Sequence, residues 1–201
     1  MNERAIEFGS RRRVLRPGPG EAEVEAFCAA HAWPRVREGW LDPETKWEYK
    51  ITWSCGPAVK IHYVEDELAG QRYVQTSSSN MQLLEHYARI ADEELPVRTL
   101  EDLIEQVDLA EEPIPRGLAL IRLGVGAPTG SDSEVFARIA AGLEDSAKEV
   151  RDMSILASLY AAYPNLRPLL KSVSEQDAVQ DLRDRARATL AAFDNMGVAR
   201  E

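Results

Sequence analysis

Residues 145–159 have the sequence DSAKEVRDMSILASL, and residues 177–190 have the sequence DAVQDLRDRARATL. Each stretch begins with Asp, carries an acid, an apolar residue and Arg at its fifth to seventh positions, and continues into Ala and Leu at helical spacing. The two stretches start 32 residues apart, a period typical of repeated helical hairpins. This repetition predicts that the C-terminal half consists of successive pairs of helices.

A weaker copy of the same pattern precedes these two. Arg116 stands 35 residues before Arg151 and is followed by leucines at helical spacing. Thr99 and Asp102 have the spacing of a capping box, and Pro113 is suited to the first turn of the next helix. The first copy lacks the Asp with which the other two copies begin. We therefore interpret it as a capping repeat at the end of the array. We therefore expect about three helical hairpins in this half.

The pattern resembles HEAT repeats, in particular the short bacterial HEAT-like type, over about residues 96–193. In that family, the Asp of the turn and the Arg of the second helix support one another from repeat to repeat. The resemblance implies an α-solenoid with a structural ladder made of Asp145, Arg151, Asp177 and Arg183. HEAT-like proteins mostly bind other proteins, although some carry lyase or base-excision activity.

The N-terminal half contains an alternating pattern typical of strands. Trp47, Tyr49, Ile51 and Trp53 alternate with polar residues, which predicts one apolar face and one polar face. After a Gly-Pro turn, residues 59–63 alternate in the same way. The sequence therefore predicts a hairpin.

The remaining elements of this half follow from local signals. Residues 71–76 can add a third strand, and residues 21–32 carry the apolar stripe of a short helix. Ser79 and Gln82 have capping-box spacing, which predicts a helix to about residue 94 with Leu83 on its buried side. These elements form an α-β-β-β-α arrangement around a small antiparallel meander.

The loss of strand-like periodicity after residue 95 predicts a domain boundary. We expect an α+β domain at residues 1–95 and an all-α, HEAT-like repeat domain at residues 96–201. The fold class predicted for the whole chain is α+β.

Cysteine and histidine do not form a catalytic pair in this pattern. If Ile51 pairs with Ile61, then His62 lies opposite Lys50 and Cys55 sits in the turn, out of its reach. A thiol nucleophile needs a base within hydrogen-bond distance. We therefore expect no catalytic residue, and the sequence predicts neither a metal site nor a cofactor.

Asp177, Asp181 and Asp184 are spaced so that three carboxylates share one face of a helix, which a hard cation would accept. Ser174 and Asp177 also have capping-box spacing, and acids favour the first turn of a helix. We interpret this group as a helix start.

The net charge of the chain restricts the classes of molecule that it can bind. The 34 acids exceed the 24 bases, so the formal net charge is −10. Such a field repels DNA, RNA and anionic membranes. Residues 11–16 hold the dense basic run, which together with Arg35 and Arg37 could make a local anion patch. No aromatic side chains are interleaved with the run for base stacking. We expect a solvated N-terminal arm there, and neither a nucleic acid nor a membrane as partner.

The acids are concentrated at the start of the helical half, where they can form an ordinary solvated face or attract a basic protein. Trp33 and Trp40, expected in a Pro-bounded loop, can anchor an interface or cover the apolar face of the sheet. The candidate partner-binding acids are Glu101, Asp102, Glu105, Asp108, Glu111 and Glu112.

The function expected from these features is protein binding. The chain has no signal-peptide pattern and only two cysteines, so we expect a cytoplasmic protein. The leading hypothesis is an adaptor or a neutralising module, of the immunity-protein or inhibitor kind, that binds a basic protein. One alternative is an enzyme of the HEAT-like lyase type acting on a small ligand in a cleft between the domains. Another is a scaffold subunit of a larger complex.

Overall fold

The computed structural model describes residues 8–18 and 20–199. The chain divides into two compact units, Met1–Arg98 and Thr99–Glu201. The first unit contains a six-stranded antiparallel sheet and two helices, and the second contains helices only among its described residues. The predicted α+β class is therefore confirmed.

The sheet of the first unit is antiparallel throughout. Its order is β1-β6-β5-β4-β3, and β2 also pairs with β6. The three long neighbouring strands β4, β5 and β6 are the predicted meander. The six strands are β1 (Phe8–Gly9), β2 (Arg13–Val14), β3 (Arg35–Trp40), β4 (Glu48–Gly56), β5 (Val59–Asp66) and β6 (Gln71–Ser78).

The sequence does not predict β1, β2 or β3. Residues 11–16 are not a solvated arm, because β2 pairs with β6 and the Arg13 side chain is buried. Arg13 donates from Nε and Nη2 to the two carboxylate oxygens of Asp92, at 2.8 and 2.7 Å. Trp40 ends an exposed edge strand and does not lie in a loop.

The hairpin register differs from the predicted one by two residues. Ile51 pairs with Tyr63, and His62 lies opposite Thr52. The predicted pairing of Ile51 with Ile61 is wrong because β4 continues through Cys55, where an irregularity in the ladder moves the turn towards the C-terminus. A two-residue shift leaves the same side chains on the same face, so the predicted inward direction of Ile51 is correct.

Two helices, α1 (Glu21–Ala30) and α2 (Met81–Glu94), pack on one face of the sheet. The core contains Trp53 and Tyr63, each no more than 1% exposed. Burial of such a side chain stabilises the fold by about 1.5–3 kcal/mol. The side chain that caps α2 belongs to Asn80 and not to Ser79, and Leu83 faces solvent, contrary to prediction.

The second unit contains three consecutive helical hairpins, with a short 3-10 helix at Pro164–Leu166. The second helices pack on one another, α4 on α6 and α6 on α8, and the first helices also contact in succession. The helices are α3 (Leu100–Asp108), α4 (Pro113–Val125), α5 (Ser133–Leu143), α6 (Lys148–Ala161), α7 (Arg167–Gln176) and α8 (Gln180–Asn195).

Local signals locate two of these helix starts correctly and one incorrectly. Thr99 and Asp102 form the capping box of α3, and Pro113 opens α4. Asp177 is the residue that follows α7, and its carboxylate accepts from the backbone N–H of Val179 at 2.8 Å. The predicted capping box with Ser174, and the shared helical face of Asp177 with the later aspartates, are therefore wrong.

Candidate functional site

The outer face of α3 presents a row of acids. Glu101, Glu105 and Asp108 are spaced at i, i+4 and i+7, which places them along one side of the helix. All three are exposed. Glu111 and Glu112, also exposed, continue the acidic segment through the turn to α4. The structure therefore brings these predicted acids onto one helical hairpin.

Two of the six predicted acids are already engaged. The Asp102 carboxylate accepts from the Thr99 backbone N–H at 3.1 Å as part of the capping box. Asp108 accepts from Nε and Nη2 of Arg138 at 3.2 and 2.9 Å. Hydrogen bonding to Arg138 lowers the pKa of Asp108 below its usual value. Within the described part of the chain, the other four acids have no ion-pair partner: Glu101, Glu105, Glu111 and Glu112.

The same hairpin also carries exposed apolar side chains. Leu109, directly after α3, is 72% exposed, and Ile114 and Leu118 on α4 are 48% and 43% exposed. Ile114 and Leu118 are four residues apart, so they share one face of α4. We call Glu101, Glu105, Leu109, Glu111, Glu112, Ile114 and Leu118 together the α3–α4 surface.

The exposure of these three apolar residues does not follow from the sequence pattern. The leucines after Arg116, Leu118 among them, fit the repeat pattern, and no signal marks Leu109 or Ile114 as functional. Periodicity alone cannot distinguish an apolar side chain packed on a neighbour from one left at the end of a hairpin. The prolines beside Ile114 are the available signal, because they place this residue in an exposed first turn.

Arg116 holds the turn of this hairpin in place. Its Nε donates to the carbonyl of Ala110 at 3.0 Å, and its Nη2 donates to the carbonyl of Glu111 at 3.2 Å. Its Nη1 donates to the carboxylate of Asp145 at 3.1 Å. A single guanidinium thus connects the turn that carries Leu109 to the next hairpin.

The same arrangement recurs one hairpin later. Nε and Nη2 of Arg151 donate to both carboxylate oxygens of Asp177, at 2.7 and 3.1 Å, and its Nη1 donates to the carbonyl of Asp145 at 2.9 Å. The hydrogen bond to Arg151 lowers the pKa of Asp177. Arg183 donates to the carbonyl of Asp177 and to the side chain of Gln180. The four predicted ladder residues are therefore connected by hydrogen bonds, and the Arg151–Asp177 pair joins one hairpin to the next.

The two candidate tryptophans have different environments. Trp33 stacks on His31 with ring centroids 4.5 Å apart, contacts Phe27 edge-on, and packs against the core. Trp40 makes an edge contact with Tyr49 and is 36% exposed. Trp33 thus covers the margin of the apolar core, and Trp40 is the more accessible of the two.

Trp47 is a third accessible tryptophan. The sequence pattern places it on the buried side of a strand, but it precedes β4 and is 55% exposed. The alternation predicts a strand from residue 46, whereas β4 begins at Glu48. The predicted burial of Trp47 is therefore wrong.

Cys55 and His62 occupy different environments. Cys55 belongs to the core, and burial raises the pKa of its thiol to about 12. His62 is held on the opposite face of the sheet, between the hydroxyls of Thr52 and Ser77. A thiol of this kind is protonated at neutral pH and is a poor nucleophile.

Neither a metal site nor a membrane span is found in the part of the chain that the structure describes. No group of three or more metal-ligating side chains is assembled among those residues. None of the described helices combines the length and the apolar character that crossing a bilayer requires. Compared with family models, with curated proteins and with solved structures, the chain has no match.

Proposed function

We propose that this chain is a protein-binding adaptor whose α3–α4 surface holds a basic protein. The observation that carries the proposal is that one hairpin exposes four acids with no ion-pair partner among the described residues, together with three apolar side chains. Carboxylates attract and orient a basic partner, whereas apolar groups supply contact area that is removed from water. Arg116 supports binding because a turn that is already ordered loses less entropy on association.

We further propose that residues 96–193 form a HEAT-like α-solenoid. The successive packing of α4, α6 and α8 supports this assignment. So do the Arg116–Asp145 and Arg151–Asp177 contacts, which each join one hairpin to the next. In solenoids, each repeat contacts its neighbours and the stack presents an extended binding surface. Such a surface suits an adaptor.

The sharper form of the proposal is a neutralising module of the immunity-protein or inhibitor kind. Residues 101–201 hold 18 acids and 11 bases, so a basic effector would be attracted over a long range. We place this activity in the cytoplasm, where reducing conditions suit the two free, buried cysteines.

The test combines charge reversal with salt dependence. The tagged chain is used to isolate its partner from native cells at low salt, and the affinity of the purified partner is then measured by calorimetry. In the variant E101K/E105K/E112K, we expect the affinity to fall at least about tenfold and the salt dependence to flatten. In the variant L109S, we expect a loss of about tenfold with the salt dependence unchanged.

The matched control is E44K/E144K/E175K, which changes net charge equally at exposed acids outside the α3–α4 surface. We expect its affinity to stay within about threefold of the parent. The proposal is wrong if both triple variants weaken binding equally, or if the first leaves affinity and salt slope unchanged. Several salt-resistant partners would indicate a scaffold subunit.

A further inference from the structure

β3 forms one margin of the antiparallel sheet. Among the described strands its one neighbour is β4, so the other side of β3 carries no strand of this part of the chain. The opposite margin consists of β1 and β2, which have two residues each, whereas β3 has six. An edge strand presents N–H and C=O groups that can pair with another strand. β3 is therefore the longest open edge among the described strands.

The outward backbone groups of β3 belong to Glu38 and Trp40. The N–H of Leu41 donates to the carbonyl of Glu48 at 2.8 Å, so the backbone of Leu41 faces β4. Successive residues of an antiparallel pair direct their N–H and C=O groups to opposite sides. The register with β4 is unbroken from Arg37 to Trp40. Glu38 and Trp40 consequently direct their N–H and C=O groups away from the sheet.

Apolar side chains flank these backbone groups on both faces of the sheet. Trp40 is paired with Tyr49, which packs against the core, and Trp40 is 36% exposed. Leu41 is the next residue, so it points to the opposite face, and it is 55% exposed. Both side chains would be covered by the side chains of an added strand. The edge thus offers apolar contact area as well as hydrogen bonds.

Arg37 and Gly39 lie on the same face as Leu41. A Cβ on Gly39 would meet no other atom within 4 Å, so a bulky side chain of an added strand has room opposite this residue. Arg37 is exposed, and it has no ion-pair partner among the described residues. Opposite charges on directly paired residues stabilise a sheet. An acid opposite Arg37 is therefore favoured.

A second copy of the chain fits this edge less well than a foreign strand. Hydrogen-bonded pairs need outward-facing residues from both strands, so β3 can pair with itself only about Glu38 and Trp40. Pairing Glu38 with its own equivalent opposes like charges, and pairing it with Trp40 places Arg37 opposite Leu41. These registers give Arg37 no acid, and two chains of net charge −10 repel each other.

We propose that β3 binds an extended peptide segment of another protein as an added antiparallel strand. In this mode, called β-augmentation, main-chain hydrogen bonds supply affinity and alternate side chains supply specificity. From its N-terminus, the segment carries apolar residues opposite Leu41 and Trp40 and a bulky residue opposite Gly39. Two residues later it carries an acid opposite Arg37. The site is separate from the α3–α4 surface and does not depend on the adaptor function.

The test uses the full chain and the peptide acetyl-TVIYTDT-amide, in which valine is placed opposite Leu41. We expect saturable binding below about 1 mM, with shifts of the amide resonances of residues 36–41. A matched peptide is N-methylated at isoleucine and at the threonine before aspartate, whose N–H groups would donate to Trp40 and Glu38. We expect this peptide to bind at least about tenfold more weakly. Absence of saturable binding by the first peptide, or equal binding of the two, would overturn the proposal.

Variants of the chain assign the binding to β3. E38P removes an outward N–H, whereas E38A removes the same side chain and keeps the N–H. We expect E38P to weaken binding at least about fivefold and E38A to stay within about twofold of the parent. Equal affinities of these two variants would contradict the proposal. The comparison of the two peptides needs no variant, so it holds even if E38P folds poorly.

R37Q tests the charge pairing. We expect it to weaken binding of the peptide about two- to fivefold, but not to weaken binding of acetyl-TVIYTKT-amide, in which lysine replaces aspartate. An equal loss for both peptides would show that Arg37 does not face the acid.

Sedimentation of the chain without peptide tests the other occupant. We expect no association that depends on β3. A dimer that E38P dissociates and E38A does not would show that a second copy occupies this edge, and the proposal would be wrong.

Discussion

Arg151 and Asp177 show how one ion pair can connect two hairpins. Their side chains are 16% and 4% exposed, and the guanidinium donates twice to the carboxylate. Bidentate pairs of this kind are stronger than single contacts. Because the pair is largely shielded from water, removal of either partner leaves a poorly solvated charge.

We expect Arg151→Ala to lower the free energy of unfolding at neutral pH by about 2–3 kcal/mol, because the Asp177 carboxylate would lose its cation. The pKa of Asp177 is lowered in the folded chain. The pair therefore stabilises the fold above the unfolded-state pKa of about 3.9, and this contribution is lost as the pH falls through the folded-state pKa. The deficit of the variant should shrink below about pH 4, as measured by urea unfolding.

Arg185→Ala is the matched control. It removes a 2.8 Å ion pair with Asp152, in which the side chains are 64% and 32% exposed. Exposed pairs contribute little, so we expect a change of no more than about 0.5 kcal/mol. Equal losses in the two arginine variants, or a deficit in Arg151→Ala that persists unchanged in acid, would contradict the argument.

At the scale of single residues, a side-chain contact can be predicted when the residue pattern that produces it repeats along the sequence. The periodic Asp and Arg positions single out Arg151 and Asp177, which the structure places in contact. Arg13 has no such signal, because its partner Asp92 is 79 residues away and the intervening pattern contains no copy of the pair. The charge of Arg13 suggested solvent exposure, but a carboxylate brought close by the fold allows its burial.

At the scale of elements, glycines control how closely α4 and α6 pack. A Cβ on Gly124 would lie 2.7 Å from the Cα of Ala157, so backbone atoms would have to move. A Cβ added to Gly117 would lie 3.0 Å from the Cβ of Met153 and 3.1 Å from the Cγ of Met153. The flexible end of Met153 can rotate away, and its Cβ must shift by only a few tenths of an ångström, whereas the contact at Gly124 is with helix backbone.

We therefore expect Gly124→Ala to destabilise the chain by about 1–3 kcal/mol, although Ala favours a helix more than Gly does. Gly117→Ala, on the same helix, should stay within about 1 kcal/mol of the parent because the better helix propensity offsets the displacement of Met153. Urea unfolding followed by circular dichroism measures both. A larger loss in Gly117→Ala than in Gly124→Ala would contradict this account.

Elements whose signals are local were predictable, and elements defined by distant pairing were not. The capping box at Thr99 and the proline of α4 predict their helix starts from a few neighbouring residues. β3 and β2 have no alternating pattern, and they exist because β4 and β6 offer unpaired edges. The hairpin register depended on a ladder irregularity near Cys55, which alternation alone does not reveal.

For the candidate site, the acids could be predicted from the sequence, but the exposed apolar side chains of the same hairpin could not. The run of acids from residue 101 is visible as composition, whereas the exposure of Leu109 depends on what the hairpin leaves uncovered.

At the scale of the whole molecule, the chain divides into two compact units. The proposed α3–α4 surface belongs to Thr99–Glu201. Each unit also has its own buried core, with Ile61 at 0% exposure in the first and Leu120 at 1% in the second. Because each unit has its own core, a core substitution in one unit can destabilise that unit without destabilising the other.

Two spectroscopic signals distinguish the units. All four tryptophans belong to Met1–Arg98, so fluorescence reports on the first unit. Six of the eight described α-helices belong to Thr99–Glu201, so circular dichroism at the helical band reports mainly on the second. Ile61→Ala and Leu120→Ala each remove a buried aliphatic group, at a cost of about 2–5 kcal/mol.

We expect Ile61→Ala to lower the urea midpoint seen by fluorescence more than the midpoint seen by circular dichroism, and Leu120→Ala to do the reverse. The reason is that each lesion leaves the other unit's core intact, and a cooperative transition extends only as far as the contacts that support it. The parent chain, measured with both signals, is the reference for each shift. If both variants lower the two midpoints by equal amounts, the units unfold as one cooperative structure and their cores do not act separately.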